Sequence, residues 1–102
     1  MFGLRKKLDI NAGVESFRNT KNAMLLDVRT EEEYAQGHIK QSINLPLQKI
    51  EEASLIIPDL ATPLFVYCRS GARSETAVNR LRNMGYTNAE NIGGIIHYHN
   101  QD

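Results

Sequence analysis

Short apolar runs alternate with helix-patterned segments along this chain, and that alternation leaves few folds open to it. Residues 23–28, AMLLDV, make an apolar run of the length of a buried strand. RTEEEYAQGH follows, with Thr30 and Glu33 spaced as a capping box and Gly37 placed as a helix stop. SINLP (42–46) reads as a second strand closed by Pro46. LQKIEEASLII (47–57) sets Leu47, Ile50 and Ser54 or Ile57 on one face at helical spacing and ends at Pro58. LFVYC (64–68) is the third strand, apolar on both faces as in the middle of a parallel sheet. SETAVNRLRNMG (74–85) reads as a helix with Ala77, Val78, Leu81 and Met84 inward and Gly85 as its stop. AENIGG adds a short strand and a glycine turn, and NAGVESFRN near the start is a less strongly patterned helix with Val14 and Phe17 as its apolar pair. Strands and helices in alternation predict an α/β domain, a parallel sheet with helices on both faces.

The 102 residues fit a single domain, 1–102, large enough to bury a real core. Twelve basic and twelve acidic residues balance, with no basic stripe for nucleic acid and no acidic tail. The N-terminus MFGLRKKLDINAG lacks the apolar run and cleavage site of a signal peptide, and LFVYC is too short to span a bilayer. The expectation is therefore a soluble, cytoplasmic protein that works without membrane or nucleic acid, read as a monomer. The lone cysteine, Cys68, excludes an internal disulfide and a cysteine-rich metal site.

Ligands of open α/β sheets bind where strands end and helices begin, and Cys68 stands at such a junction. The loop CRSGAR, 68–73, leads from the third strand into a helix. Amides of a helix's first turn lack intrahelical partners, and successive amides in a tight loop can converge on an anion. The helix dipole adds partial positive charge, and Gly71 allows a backbone shape that other residues resist. Arg69 and Arg73 bring full charges: Arg69 is expected near the pocket mouth, and Arg73 is expected to turn inward onto carbonyls or Asp27. Such a setting favours a thiolate, taking a pKa of about 8.5 in free cysteine down to roughly 3.5–7.5. The bland alternative is a buried, inert cysteine, since free cysteines are commonly buried. Packing alone calls for neither the flanking arginines nor the glycine.

With these residues in place, the chain resembles the rhodanese family of single-domain thiosulfate and persulfide sulfurtransferases, over about Met24 to Tyr98. LLDVRTEEEYAQGHIKQSINLPL is similar to its first signature, VYCRSGARS to its active-site loop, and MGYTNAENIGG to its closing segment. The resemblance implies a three-layer α/β/α domain with a five-stranded parallel sheet. It implies a persulfide on Cys68, cradled by Arg69, Ser70, Gly71, Ala72, Arg73 and Ser74 as the substrate-binding loop. The donor would be a small anion such as thiosulfate. The acceptor would be cyanide or a thiol, a protein thiol included. No cofactor or metal is implied, and no general base is needed by a preformed thiolate. Tyr98 stands where the family often has tryptophan, and the chain runs only four residues further, so the family's C-terminal helix is expected to be clipped or absent.

Three other readings compete. The phosphatase branch of the fold resembles Cys-x5-Arg, whereas here Arg73 follows Cys68 after four residues and Ser74 holds the phosphatase arginine's place. A non-catalytic binding module resembles the family with its cysteine replaced, yet Cys68 is present. A redox sensor lacks a second cysteine to resolve a sulfenic acid. Asp27 and Arg29 end a strand on the side of the site, either supporting the loop, which is favoured, or pairing with each other. Glu31, Glu32 and Glu33 suit a helix N-terminus. His38 reads as a structural hydrogen-bonder, and His97 with His99 is too few ligands for a metal site.

Overall fold

The computed structural model describes residues 7–99. Helix α1 spans Ile10–Arg18, and Asp9 caps it by accepting from the amides of Asn11 and Ala12 at 3.0 and 3.3 Å. Strand β1 is Met24–Asp27, α2 is Glu31–Gln36 and β2 is Ile43–Asn44. A 3-10 segment, Leu47–Glu52, runs into the short helix α3, Ala53–Ile56. Strand β3 is Leu64–Cys68, α4 is Ala72–Asn83 and β4 is Ala89–Gly94, with a closing 3-10 turn at Ile95–His97.

The strands make one parallel sheet in the order β2-β1-β3-β4. Among the described residues the sheet has four strands, not the five implied by the resemblance. Only four segments in 7–99 pair their backbones in strand fashion. After β1 the chain steps outward to β2 and then crosses back to lay β3 on β1's other side. The crevice where the order reverses therefore opens between the carboxyl ends of β1 and β3.

Side-chain alternation divides the core in two. Leu64, Val66 and Cys68 of β3 face a layer holding Ile50, Ala53 and Ile57 together with Ala77, Val78 and Leu81 of α4. Phe65 and Tyr67 face the other layer, with Ile10 and Val14 of α1 and Ile92 of β4. All five β3 side chains are buried, as the apolar run requires of a strand covered on both faces. Fully burying a leucine or isoleucine contributes about 1.5–3 kcal/mol, so these positions anchor the sheet.

Several boundaries differ from the sequence reading. The expected helix over 47–57 is a 3-10 segment broken at Lys49 (φ −114°, ψ 18°), followed by one α-turn. Its buried side chains are Ile50, Ala53 and Ile57; Leu47 is half-buried and Ser54 exposed. A spacing of three residues suits a 3-10 turn as well as an α-helix. The second strand shrinks to Ile43–Asn44, because Pro46 has no amide for the ladder. The glycine pair 93–94 lies inside β4 rather than in a turn, next to a bulge at which Tyr67 pairs Gly93 and Ile92 is passed over. The closing chain covers the α1 side with Ile95 and Tyr98, which pack against that core layer.

Candidate active site

β3 ends at Cys68 and α4 begins at Ala72, so three residues make the whole connection. The helix starts two residues earlier than the sequence reading placed it, which makes Ala72, Arg73 and Ser74 its first turn. Gly71 is the N-cap, in the left-handed region at φ +103°, and no side chain caps the helix. The free donors of this helix start are turned onto the sulfur instead. The Gly71 amide donates to Cys68 Sγ at 3.0 Å, and Ser74 Oγ lies 3.4 Å from it. Opposite the loop, Gly94 pairs with Cys68 in the sheet, and a Cβ there would run into the Arg69 carbonyl and the Ser70 Cα.

Cys68 has no exposed surface. Burial pushes its thiol up, but the Ser74 hydroxyl and the amides of Ser74, Gly71 and Ser70 outweigh burial and hold its pKa below the ordinary value. The group is thus both enclosed and set toward the thiolate, which a cysteine that only fills space is not.

The charged residues sit differently from expectation. Arg73 does not turn onto carbonyls or Asp27. It forks onto Glu33 with two bonds of 2.7 and 2.9 Å. A carboxylate matches a guanidinium better than carbonyls do. Glu33 is also the capping-box residue of α2, accepting from the Thr30 amide at 2.9 Å while Thr30 Oγ1 accepts from its own amide at 3.2 Å. The Arg73 guanidinium, with help from the Thr30 amide, outweighs partial burial and pulls the Glu33 carboxyl down to about 2. Arg73 therefore ties the cysteine loop to the start of α2.

Asp27 and Arg29 form a buried pair, 0% and 7% exposed. Arg29 Nη2 donates to Asp27 Oδ2 at 2.7 Å, the Arg29 amide donates to Oδ1 at 2.9 Å, and Nη2 also reaches the Gly37 carbonyl at 2.7 Å. Among the described residues, neither side chain hydrogen-bonds to 68–74; Arg29 lies 5.9 Å from the centre of the Tyr67 ring. Arg69 and Ser70 are exposed, Gly71 and Ser74 buried, and Ala72 exposed on the first turn of α4. His38 bonds through Nδ1 to the Tyr34 carbonyl at 2.8 Å and stacks on the Tyr34 ring. Asn11 holds the closing segment, accepting from the His99 amide and donating to the His97 carbonyl.

The sequence reading missed one residue of this site. Asn91 of β4 reaches Ser74, Gly71 and Glu75. The available signal was its parity: two residues after the buried Ala89, it points to the α4 face, where a polar side chain needs partners.

The family model of the rhodanese-like domain matches residues 12–100. The chain belongs to the rhodanese-like family. Thiosulfate sulfurtransferase PspE of Escherichia coli is 41% identical over 71 residues, which cover 69% of this chain and 68% of that protein. A putative mitochondrial thiosulfate sulfurtransferase of Schizosaccharomyces pombe is 42% identical over 86 residues; the match takes in 72% of this chain and 61% of that protein, so this chain spans under two thirds of its length. A solved E. coli rhodanese with anions superposes with a TM-score of 0.70 at 38% identity, covering 74% of this chain and 91% of that one. At the position where rhodaneses often carry tryptophan, Tyr98 lies half-buried with its hydroxyl 3.5 Å from Arg18.

Proposed function

We propose that this rhodanese-like chain is a sulfurtransferase that carries a sulfane sulfur as a persulfide on Cys68. The observation behind the reading is the sulfur's setting: an amide at 3.0 Å, a hydroxyl at 3.4 Å and a lowered pKa at the end of a central strand. The Cys68 thiolate attacks the outer sulfur of thiosulfate. The S–S bond of the donor breaks, sulfite leaves with the electron pair, and a persulfide remains. An acceptor nucleophile, cyanide or a thiolate, then attacks the outer sulfur of that persulfide. The new S–S bond breaks and returns Cys68 as thiolate. The loop amides stabilise the anion in both halves of the cycle. Because Cys68 has no exposed surface, the donor reaches it when the 69–71 connection shifts.

The names of the E. coli and S. pombe relatives support thiosulfate as donor. The exposed Arg69 supports an anionic donor, and the exposed Arg69 and Ser70 leave room for a protein thiol as acceptor. A monomer working in the cytoplasm is the setting this reading adopts. The phosphatase reading is disfavoured, because Ser74 fills the arginine's place and Arg73 is bound to Glu33.

Intact mass measured after incubation with thiosulfate tests the proposal. Wild type gains one sulfur atom, and Cys68→Ser gains none and has no turnover. Sulfur transfer retained by Cys68→Ser sinks the assignment, since no other cysteine can take over. Alkylation of the free enzyme is expected to titrate below the roughly 8.5 of a free thiol.

A further inference from the structure

Ser74 has one hydroxyl proton and three acceptors around it. Asn91 Oδ1 lies at 2.7 Å, the Gly71 carbonyl at 3.1 Å and Cys68 Sγ at 3.4 Å. The orientation of the Asn91 amide is fixed by its other partners. Its Nδ2 donates to the Gly71 carbonyl at 3.0 Å and to Glu75 Oε1 at 3.1 Å, while its Oδ1 accepts from the Gly93 amide at 3.0 Å. Turning the amide over would set Oδ1 against two acceptors and Nδ2 against a donor, so the oxygen faces Ser74. The shortest of the three contacts thus runs to Asn91.

We propose that Asn91 is a positioning residue that competes with the Cys68 sulfur for the Ser74 hydroxyl proton, so that this hydroxyl is a two-position switch. The proposal rests on the sulfurtransferase reading for its role in the cycle and deepens it. While Cys68 is a thiolate, the hydroxyl turns to the sulfur and stabilises the charge. In the persulfide the charge moves to the outer sulfur, Sγ is neutral, and the hydroxyl turns back to Asn91. The proton stays on Oγ throughout; only its direction changes. Asn91 therefore limits how strongly the thiolate is stabilised. That preserves nucleophilicity, which falls as a thiol's pKa falls.

The Gly71 carbonyl does not depend on Asn91 alone, because the Glu75 amide of α4 also donates to it at 3.2 Å. Removing Asn91 leaves that bond in place. The charged side chains of the surrounding elements are Arg69 and Arg73 of the loop, Glu75 of α4, Glu33 of α2 and the Asp27–Arg29 pair at the end of β1. The variants below replace none of them; both Asn91 variants remove the Nδ2 bond to Glu75 Oε1, a loss that the Ser74→Ala background carries equally.

The test is the pH dependence of Cys68 alkylation by iodoacetamide, which needs no sulfur donor. Asn91→Ala removes the nearer of the two competing acceptors, leaving the Gly71 carbonyl, and lowers the midpoint, by about half a pH unit. Asn91→Asp keeps the shape, holds the Ser74 proton more strongly and adds negative charge, raising the midpoint by about one unit; shifts of this size are ordinary for a changed hydrogen bond or neighbouring charge. Ser74→Ala raises it as well. In the Ser74→Ala background the Asn91→Ala shift disappears and the Asn91→Asp shift shrinks to its through-space part. Opposite signs for the two Asn91 variants, lost or reduced without Ser74, establish the switch. Shifts of the same sign, or shifts undiminished in Ser74→Ala, overturn it, since loosening of the loop moves both variants upward. If Asn91→Ala does not fold, the near-isosteric Asn91→Asp decides alone, and a rise of equal size with and without Ser74 overturns the proposal. If wild type takes up no sulfur from thiosulfate while the shifts appear, the sulfurtransferase reading falls and the switch stands.

Discussion

The β1–α2 arm and the β3–α4 loop meet at the carboxyl ends of adjacent strands, and they handle charge in opposite ways. In the arm, full charges cancel one another: Arg29 closes on Asp27, and Glu33 receives Arg73 reaching over from α4. In the loop, the bonds to the sulfur come from neutral groups, the Gly71 amide and the Ser74 hydroxyl. The difference shows two ways for a small domain to place charge and dipoles around a buried thiol whose pKa is lowered. Arg29 and Arg73 are engaged in fixing the framework, and the framework aims backbone dipoles that need no reorganisation when the charge appears.

The largest effect that sharpens this comparison is in the arm. Asp27→Ala leaves the buried Arg29 guanidinium without its partner, and breaking such a pair costs about 3–5 kcal/mol. Denaturant melts should show that loss, while the alkylation midpoint of Cys68 in the folded protein moves little. A midpoint shift of more than a unit with stability intact would break the division of labour between arm and loop.

A smaller effect concerns the exposed arginine. Arg69→Ala is expected to lower kcat/KM for thiosulfate about tenfold, as loss of a single charge interaction with a dianion. The loss should shrink at high salt and with an uncharged donor. Equal losses for charged and uncharged donors, with no salt dependence, would place Arg69 among the residues that shape the loop.

The smallest effect is at the link between the two regions. The Glu33 carboxyl is lowered from 4.5 to about 2, so its contribution is present above pH 4.5 and fades as pH falls through 2. Side-chain exposures of 35% for Arg73 and 28% for Glu33 let solvent screen the pair, so Glu33→Gln should cost no more than about 1 kcal/mol at pH 7. Thermal melts of wild type and variant should differ at neutral pH, draw together as pH falls from 4.5 toward 2, and coincide only below 2. A difference that persists undiminished to pH 2 and below would mean that Glu33 acts through shape and not through charge.

Features encoded over a few residues were legible in the sequence. The Thr30–Glu33 capping box, the apolar β3 run and the inward stripe Ala77, Val78 and Leu81 need only local spacing, and all three stand in the structure. The CRSGAR segment was legible as a strand-to-helix connection, and there the Gly71 amide stands on Cys68 Sγ; that the loop cradles an anion is the reading proposed above. Arg73 was assigned the wrong partner because Glu33 lies forty residues away in sequence, and only the crossing from β1 to β3 brings the two together. The break at Lys49 was hidden because Leu47 and Ile50 suit either helix type. The inward turn of Asn91 depends on register, and the nearby bulge disturbs register on that strand.

Complete enclosure of the only thiol has a consequence for custody of the cargo. A persulfide in the open is lost to oxidants and to stray thiols, and this chain holds no second cysteine to rescue an oxidised one. On the persulfide cycle proposed above, the sulfur would be loaded onto an atom that the Arg69–Gly71 connection encloses. Its recipient would then be chosen by admission through that connection before any bond is exchanged.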